Sequence, residues 1–331
     1  MPDQQPIRPA TRPTAAHPAV TGRFAPTPSG RMHLGNAFSA LMAWLSARAA
    51  GGRMVLRIED LDPRAQNPEA AQLIMDDLAW LGLDWDEGPW YQSQRDETYA
   101  AAIDRLEAAG LTYPCFCTRA ELHAATAPHA SDGTYVYPGT CRGLTAQQIA
   151  ERSRLRRPAT RLRVPEADDP AGTIAFDDLA LGHHEEVLAR ECGDFLVRRS
   201  DGVVAYQLAV VVDDALMGVT QVVRGADLLG SVARQTYLQR LLGYPTPTYG
   251  HVPLLVAPDG RRLSKREHDL DLGAIRAHEA RPERLLGVLA SCVGLAEKGE
   301  SLSASQLATR FSWEALRVHA GNVVVDGDFL S

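Results

Sequence analysis

The chain has 331 residues, 45% hydrophobic and 23% charged. That is ordinary globular usage: it excludes wholesale disorder and, at roughly 100–200 residues per domain, leaves room for about two domains. A net charge of −7 argues against non-specific coating of nucleic acid, which requires many neutralised phosphates, and no uncharged apolar stretch reaches the ~18 residues of a membrane span.

Residues 1–19 are rich in Pro and Ala without a continuous apolar core, so they are expected to be a disordered extension and not a secretory signal. Residues 20–26 read as a strand, Pro28-Ser29-Gly30 as a turn, and 35–50 as an apolar, Ala-rich helix. A second strand at 53–58 closes a β-α-β unit, expected to be parallel and right-handed. Helices follow at 69–81, with Ile74, Leu78 and Leu81 on one face, and at 96–109, capped by Gly110. From 111 to about 190 cysteines, aromatics, Gly and Pro dominate, with a short strand at 161–164, as in an inserted subdomain. The pattern then resumes with strands at 203–212 and 221–223, a helix at 229–242, a strand at 251–256 and a turn at 258–260. Helical spacing returns at 282–293 and 303–317. The expected division is 1–19, 20–110 (first half of a doubly wound α/β domain), 111–190 (insert), 191–267 (second half) and 268–331 (helical).

Chemistry concentrates in two loops. In the first, Gly30 and Gly35 flank His33 just before a helix; glycines permit close backbone approach, and the N–H groups of a helix start attract phosphate. Alone, a His-x-Gly before a helix reads equally well as a capping or core histidine. In the second, Arg261-Arg262-Leu263-Ser264-Lys265-Arg266 gathers cations and a hydroxyl after a strand and turn; alone, it reads as a solvated basic turn. Cys115-x-Cys117 followed by Cys141 looks like a metal knuckle, for which zinc is the natural ion and His123 or His129 fits the fourth position by spacing. Cys192 and Cys292 stand apart as small hydrophobes, and an odd count of five cysteines, two of them too close in sequence to bridge well, fits a reducing cytoplasm. Six arginines lie between Arg152 and Arg163, either an RNA-backbone contact or a solvated face.

Taken together, His33-Leu34-Gly35-Asn36 and Arg262-Leu263-Ser264-Lys265-Arg266 resemble the HIGH and KMSKS signatures of class I aminoacyl-tRNA synthetases. Gly22-Arg23-Phe24-Ala25-Pro26, Arg57-Ile58-Glu59-Asp60-Leu61-Asp62-Pro63 and Val223-Arg224-Gly225-Ala226-Asp227 resemble the glutamyl branch. Asn36, Arg262 and Arg266 depart from the consensus, although Asn36 can still donate a hydrogen bond. The resemblance implies an α/β fold, a doubly wound parallel sheet with an inserted zinc-containing subdomain and a short helical C-terminal region. It also implies a ligase in which the glutamate carboxylate attacks the α-phosphate of ATP and expels pyrophosphate, with Mg2+ assisting. Such a reaction needs positioning and cationic stabilisation but no general base.

By resemblance, His33, Gly35, Asn36 and Lys265 bind ATP, and His33, Asn36, Ser264 and Lys265 serve catalysis. Arg23 and Arg224 hold substrate carboxylate, Glu59 holds the ammonium, and Phe24, Ala25, Pro26, Thr27 and Tyr206 line the glutamate pocket. Glu59 to Asp62 also reads as a strand-end charge cluster, and Arg224 as a partner of Asp213 or Asp214. In the truncated relatives the metal site reads Cys-x-Cys then Tyr-x-x-x-Cys, which falls on Cys115, Cys117, Tyr137 and Cys141. The chain ends at Ser331, without room for the helical anticodon-reading half. The resemblance is therefore to cytoplasmic stand-alone cores that attach glutamate to the queuosine base of tRNA(Asp) after tRNA-independent activation. The alternatives are a shortened enzyme charging a tRNA 3′ end and a silent synthetase-like binding protein.

Overall fold

The computed structural model describes residues 20–118, 121, 136–261, 272–325 and 329. Strand β1 (Thr21–Phe24), helix α1 (Leu34–Ala49) and strand β2 (Arg53–Ile58) form a parallel β-α-β unit, with Thr21 opposite Arg53 and Phe24 opposite Leu56. Helix α1 is wrapped in protein: Leu34, Phe38, Leu41, Met42 and Leu45 are all fully buried, as a helix apolar on several faces must be. At about 1.5–3 kcal/mol per large buried side chain, this helix anchors the core. Helix α2 (Pro68–Trp80) is capped by the Asn67 side chain on Ala70 N–H. It leads to β3 (Glu87–Tyr91), parallel to β2, and α3 (Asp96–Ala108) follows.

The insert contributes β4 (Thr112–Cys115), α4 (Ala146–Leu155) and β5 (Ala159–Leu162), and β4 pairs antiparallel with β5. Next come β6 (Thr173–Asp178), β7 (Gly182–Val187), the short helix α5 (Leu188–Glu191) and β8 (Phe195–Arg198). These strands divide between two sheets: β8 pairs with β5, whereas β6 lies parallel to β10 and carries β7 as an antiparallel edge. The second half supplies α6 (Tyr206–Leu216), β9 (Gln221–Gly225), α7 (Val232–Leu242) and β10 (Thr248–Val252), with β9 and β10 parallel. Last come β11 (Leu255–Val256), α8 (Leu272–His278), α9 (Glu283–Ser291), α10 (Ala304–Ala308), α11 (Trp313–Val318) and β12 (Val323–Val324), which pairs with β11.

The run at 203–212, expected to be a strand, is instead mainly helix α6. Its apolar residues from Leu208 to Val212 are all buried, and a short apolar run buried on all sides has no period that separates strand from helix. The strand expected at 251–256 divides into β10 and β11 on either side of Pro253, whose missing N–H cannot serve a ladder. The 303–317 helix divides likewise into α10 and α11.

The site is positioned where β1 meets β9. Thr220 N–H donates to Thr21 O at 3.0 Å and Thr21 N–H to Thr220 Oγ1 at 2.9 Å, just before β9 begins. Toward their C-terminal ends the Arg23 side chain stands between the strands and donates from Nη1 to Val223 O at 3.2 Å. The connections run one way from β1 through β2 to β3 and the other way from β9 to β10 and β6. A cleft beyond strand C-termini at such a reversal is the usual ligand position in open α/β sheets.

Candidate functional site

A cavity of about 590 Å³ opens at this reversal. Arg23, Phe24, Ala25, Pro26 and Thr27 line it from the end of β1; Glu59 enters from the end of β2, Tyr206 from the start of α6 and Arg224 from β9. His33, Gly35 and Asn36 line it at the start of α1. Every residue expected to bind glutamate or ATP within the described chain therefore faces one cavity. Ser264 and Lys265 lie outside the described residues. The chain re-enters beside the first loop, where Leu272 N–H donates to Met32 O at 3.1 Å. There the buried carboxylate of Asp77 binds Arg31 at 2.8 Å and Arg276 of α8 at 3.0 Å. Thus α2, the first loop and the helix after the second are tied to one carboxylate.

His33 is the N-cap of α1, its Nδ1 accepting from Asn36 N–H at 3.4 Å. Capping and ligand binding are compatible here: with Nδ1 accepting, the ring proton sits on Nε2, as a donor. Gly35 permits the ring to fold back, since a Cβ there would stand 3.3 Å from it. The first turn of α1 carries no acidic side chain, which leaves the positive end of the helix dipole for an anion.

Below the cavity lies a buried ionic network that the sequence reading missed. Arg57, 0% exposed within β2, donates to Asp214 at 2.6 Å and Glu59 at 3.0 Å and stands 3.7 Å from Asp213. Asp213 also accepts from Arg95 at 2.7 Å and from Tyr99 Oη and Gln92 at 2.8 Å. Burial opposes the charge on Arg57, but Asp214, Glu59 and Asp213 outweigh it and raise its pKa. Burial raises the Glu59 pKa against the pull of Arg57. The signal was present in the sequence: an arginine inside an apolar strand and two adjacent acids ending an apolar run demand partners.

Asp213 and Asp214 thus belong to Arg57, with Arg23 at 3.6 Å from Asp214, and the alternative pairing of either with Arg224 does not occur. Arg224 donates to three neutral acceptors: His251 Nε2 at 3.0 Å, Gln235 Oε1 at 2.9 Å and Leu228 O at 3.1 Å. His251, fully buried, is held in turn by Asp178, with Nδ1 to Oδ2 at 2.6 Å. Asp178 Oδ1 accepts from the N–H groups of Ala180, Leu181 and His251. This fixes the imidazole with its proton on Nδ1 and Nε2 accepting from arginine. The pKa of Arg23 is lowered by burial first, then by neighbouring Arg57 and Arg224 against Asp214. Two guanidinium groups that repel one another in a cleft bind a carboxylate well. In the expected charge cluster at 59–62 only Glu59 lines the cavity: Asp60 accepts from Ser93, and Asp62 pairs with Arg64 and Arg199.

In the insert, the Sγ atoms of Cys115, Cys117 and Cys141 lie within 4.8 Å of one another. Cys117 and Cys141 are 3.6 Å apart, and Tyr137 Oη stands 3.6 Å from both Cys115 and Cys117. Tetrahedral zinc with ~2.3 Å Zn–S bonds separates its sulfurs by about 3.8 Å, so the donor set fits a metal. Phe116 N–H and Arg161 Nε direct hydrogen bonds at Cys141 and Cys115 sulfur. His123 and His129 lie outside the described residues.

A family model described as tRNA synthetases class I (E and Q), catalytic domain, matches residues 19–326. The chain belongs to this family. Among class I synthetases it is 50% identical over 300 residues to the glutamyl-Q tRNA(Asp) synthetase of Symbiobacterium thermophilum, covering 87% of this chain and 91% of that one. It is also 50% identical over 287 residues to the enzyme of the same name from Nitratidesulfovibrio vulgaris, covering 83% and 87%. The crystal structure of a glutamate tRNA ligase from Elizabethkingia meningosepticum in complex with its amino acid superposes with a TM-score of 0.78 at 24% identity, over 94% of this chain and 68% of that one. The class I synthetase α/β fold with its parallel sheet is thereby established. No described helix is long and apolar enough to cross a membrane.

Proposed function

We propose that this protein is a ligase that activates L-glutamate with ATP, without requiring tRNA, and transfers it to the queuosine base of tRNA(Asp). The observation that carries the reading is the single cavity at the β1/β9 reversal, where Arg23, Arg224, Glu59 and Tyr206 meet the N-terminus of α1. Relatives at 50% identity carrying the name glutamyl-Q tRNA(Asp) synthetase supply the acceptor.

Arg23 and Arg224 hold substrate carboxylate, and Glu59, held by the Arg57 guanidinium at 3.0 Å, takes the ammonium. His33 Nε2–H and the α1 N-terminus receive ATP phosphates together with Asn36, and Lys265 with Ser264 meets the charge that develops on pyrophosphate. The glutamate carboxylate attacks the α-phosphorus, the bond to the bridging oxygen breaks, and pyrophosphate leaves. A cyclopentene hydroxyl of queuosine then attacks the adenylate carbonyl, forming the ester and releasing AMP. Preorganised cations of this kind are each worth about 10²–10³ in rate. Mg2+ arriving with ATP supplies charge neutralisation on the phosphates. Zn2+ held by Cys115, Cys117, Cys141 and Tyr137 supplies a structural crosslink in the insert.

The test is glutamate-dependent ATP–pyrophosphate exchange without tRNA, followed by nuclease digestion of glutamylated tRNA to locate the label. Exchange without tRNA and label on the modified nucleoside are expected. Label on the 3′ ribose would redirect the reading to a terminal charging enzyme, and absence of exchange would refute tRNA-independent activation.

A further inference from the structure

The arginine-rich stretch is not used by the cavity, and its setting is specific. Helix α4 begins with a Thr145/Gln148 capping box and has no buried residue; it rests on the cysteine cluster through half-buried Ile149. At its exposed C-terminal end stand Arg152, Arg154, Arg156 and Arg157, four cations within six residues of a chain whose net charge is −7.

Among the described residues no carboxylate lies within ion-pairing distance of these four. The adjacent Glu151 is hydrogen-bonded to Gln147 instead. Glu121 senses Arg156 and Arg152 only as lesser contributions, after the Thr118 bonds, to its lowered pKa. A helix C-terminus offers the equivalent of about −0.5 charge, far less than four arginines need. Among the described residues the surface is therefore a concentration of cations with no ion-paired carboxylate, Glu121 alone being coupled to two of them.

It is also linked to the cavity by a short run of chain. A Cβ on Gly202 would stand 3.2 Å from both terminal nitrogens of Arg157, so the guanidinium covers this glycine. Gly202 lies four residues before Tyr206, which lines the cavity, and four residues span at most about 14 Å. In the same loop Arg199 pairs at 2.9 Å with Asp62, three residues beyond Glu59. The cationic end of α4 and the mouth of the cavity are thus joined through residues 199–206.

We infer that Arg152, Arg154, Arg156 and Arg157 form the surface that grips the phosphodiester backbone of the RNA whose base enters the cavity. The inference rests on the function proposed above. Along a stacked strand with a rise of ~3.4 Å, 14 Å corresponds to roughly four nucleotides, so backbone held on α4 leaves a nearby base within reach of the adenylate. Arginine suits the task because its planar fork meets phosphate oxygens in pairs.

The test compares the full chain with Arg152→Ala/Arg154→Ala/Arg157→Ala and with the matching triple Lys variant, using queuosine-bearing tRNA(Asp) as the probe across a salt series. The alanine variant should bind at least ~10-fold more weakly at 0.1 M salt. Its plot of log affinity against log salt should be shallower by about 2–3, near one per lost phosphate contact. The lysine variant should keep the slope. Exchange without tRNA should stay within twofold of the unaltered protein. Arg154→Glu, a single exposed change, should weaken binding at least threefold, which guards against misfolding of the triple variant. Affinity and slope unchanged within twofold in the alanine variant would overturn the inference. Failure of the unaltered protein to exchange would refute the proposed activation while leaving the binding comparison as the test of this surface.

Discussion

Asp178→Asn separates a charge relay from simple packing. Asp178 Oδ1 accepts from three backbone N–H groups, of Ala180, Leu181 and His251, while Oδ2 accepts from His251 Nδ1. In the variant those three donors hold the remaining carbonyl oxygen in place, so the new NH2 must face His251 Nδ1. The imidazole has to shift its proton to Nε2, which then points at Arg224 Nε–H, and two donors oppose one another. A lost charge-assisted bond is worth about 1.5–3 kcal/mol, and a buried donor left unpaired costs a further ~1–3 kcal/mol. With Arg224 displaced, KM for glutamate in exchange should rise about 10–100-fold, and equilibrium unfolding in urea should show a loss of ~3–5 kcal/mol. KM for ATP should change less than threefold, because His33 and Asn36 are untouched. A variant with KM for glutamate within twofold and stability within 0.5 kcal/mol of the parent would refute the relay. The same geometry sets a pH dependence. Burial lowers the His251 pKa below its ordinary 6.5, ahead of the opposing pull of Asp178, with Arg224 and Arg23 lowering it further. Below 6.5 the unfolded chain therefore takes up a proton that the folded chain resists. This contribution to stability is complete above 6.5 and declines as pH falls through and below it.

Arg57→Met leaves Asp213, Asp214 and Glu59 without their shared cation and should cost about 3–5 kcal/mol, read from the urea midpoint; a loss under 1 kcal/mol would remove Arg57 as the keystone of the network. Gly250→Ala puts a Cβ 2.2 Å from Trp313 Cη2. An aromatic ring packed there cannot yield by that much, so overpacking should destabilise by at least ~1–3 kcal/mol, and an unchanged thermal midpoint would contradict it. Cys117→Ser should take zinc content, measured by inductively coupled plasma mass spectrometry, from one per chain to near zero, and retained zinc would strike Cys117 from the ligand set. Lys265→Ala should lower the exchange rate by about 10²–10³ with a small change in KM for glutamate; a fall under tenfold would exclude it from stabilising pyrophosphate.

The sequence by itself determined the parts whose rules are local. The β-α-β opening was legible because α1 is bounded by turn residues and the segment after it alternates well enough at strand length, and β2 matches the expected 53–58 in full. The cavity residues were legible because the first signature states a backbone need, Gly35 beside the His33 ring, and the segments around Arg23, Glu59 and Arg224 carry the charges that line the cavity; the second signature lies outside the described residues. The cysteine group was legible from spacing, since in Cys-x-Cys at the end of β4 the two sulfurs two residues apart lie close enough to share one ligand. Only tertiary structure decided what depends on partners distant in sequence. Helix α6 has an apolar run that suits a buried strand equally well; what holds it in place as a helix is Asp213 and Asp214 reaching Arg57, 157 residues away from Asp214, together with Arg95 and Tyr99. His251 carried no signal in the sequence, because a histidine's role is fixed by what its two nitrogens touch, and here Asp178 and Arg224 arrive from separate strands. Periodicity reports how a segment meets its own neighbours, whereas a buried charge is specified by groups the fold alone brings to it.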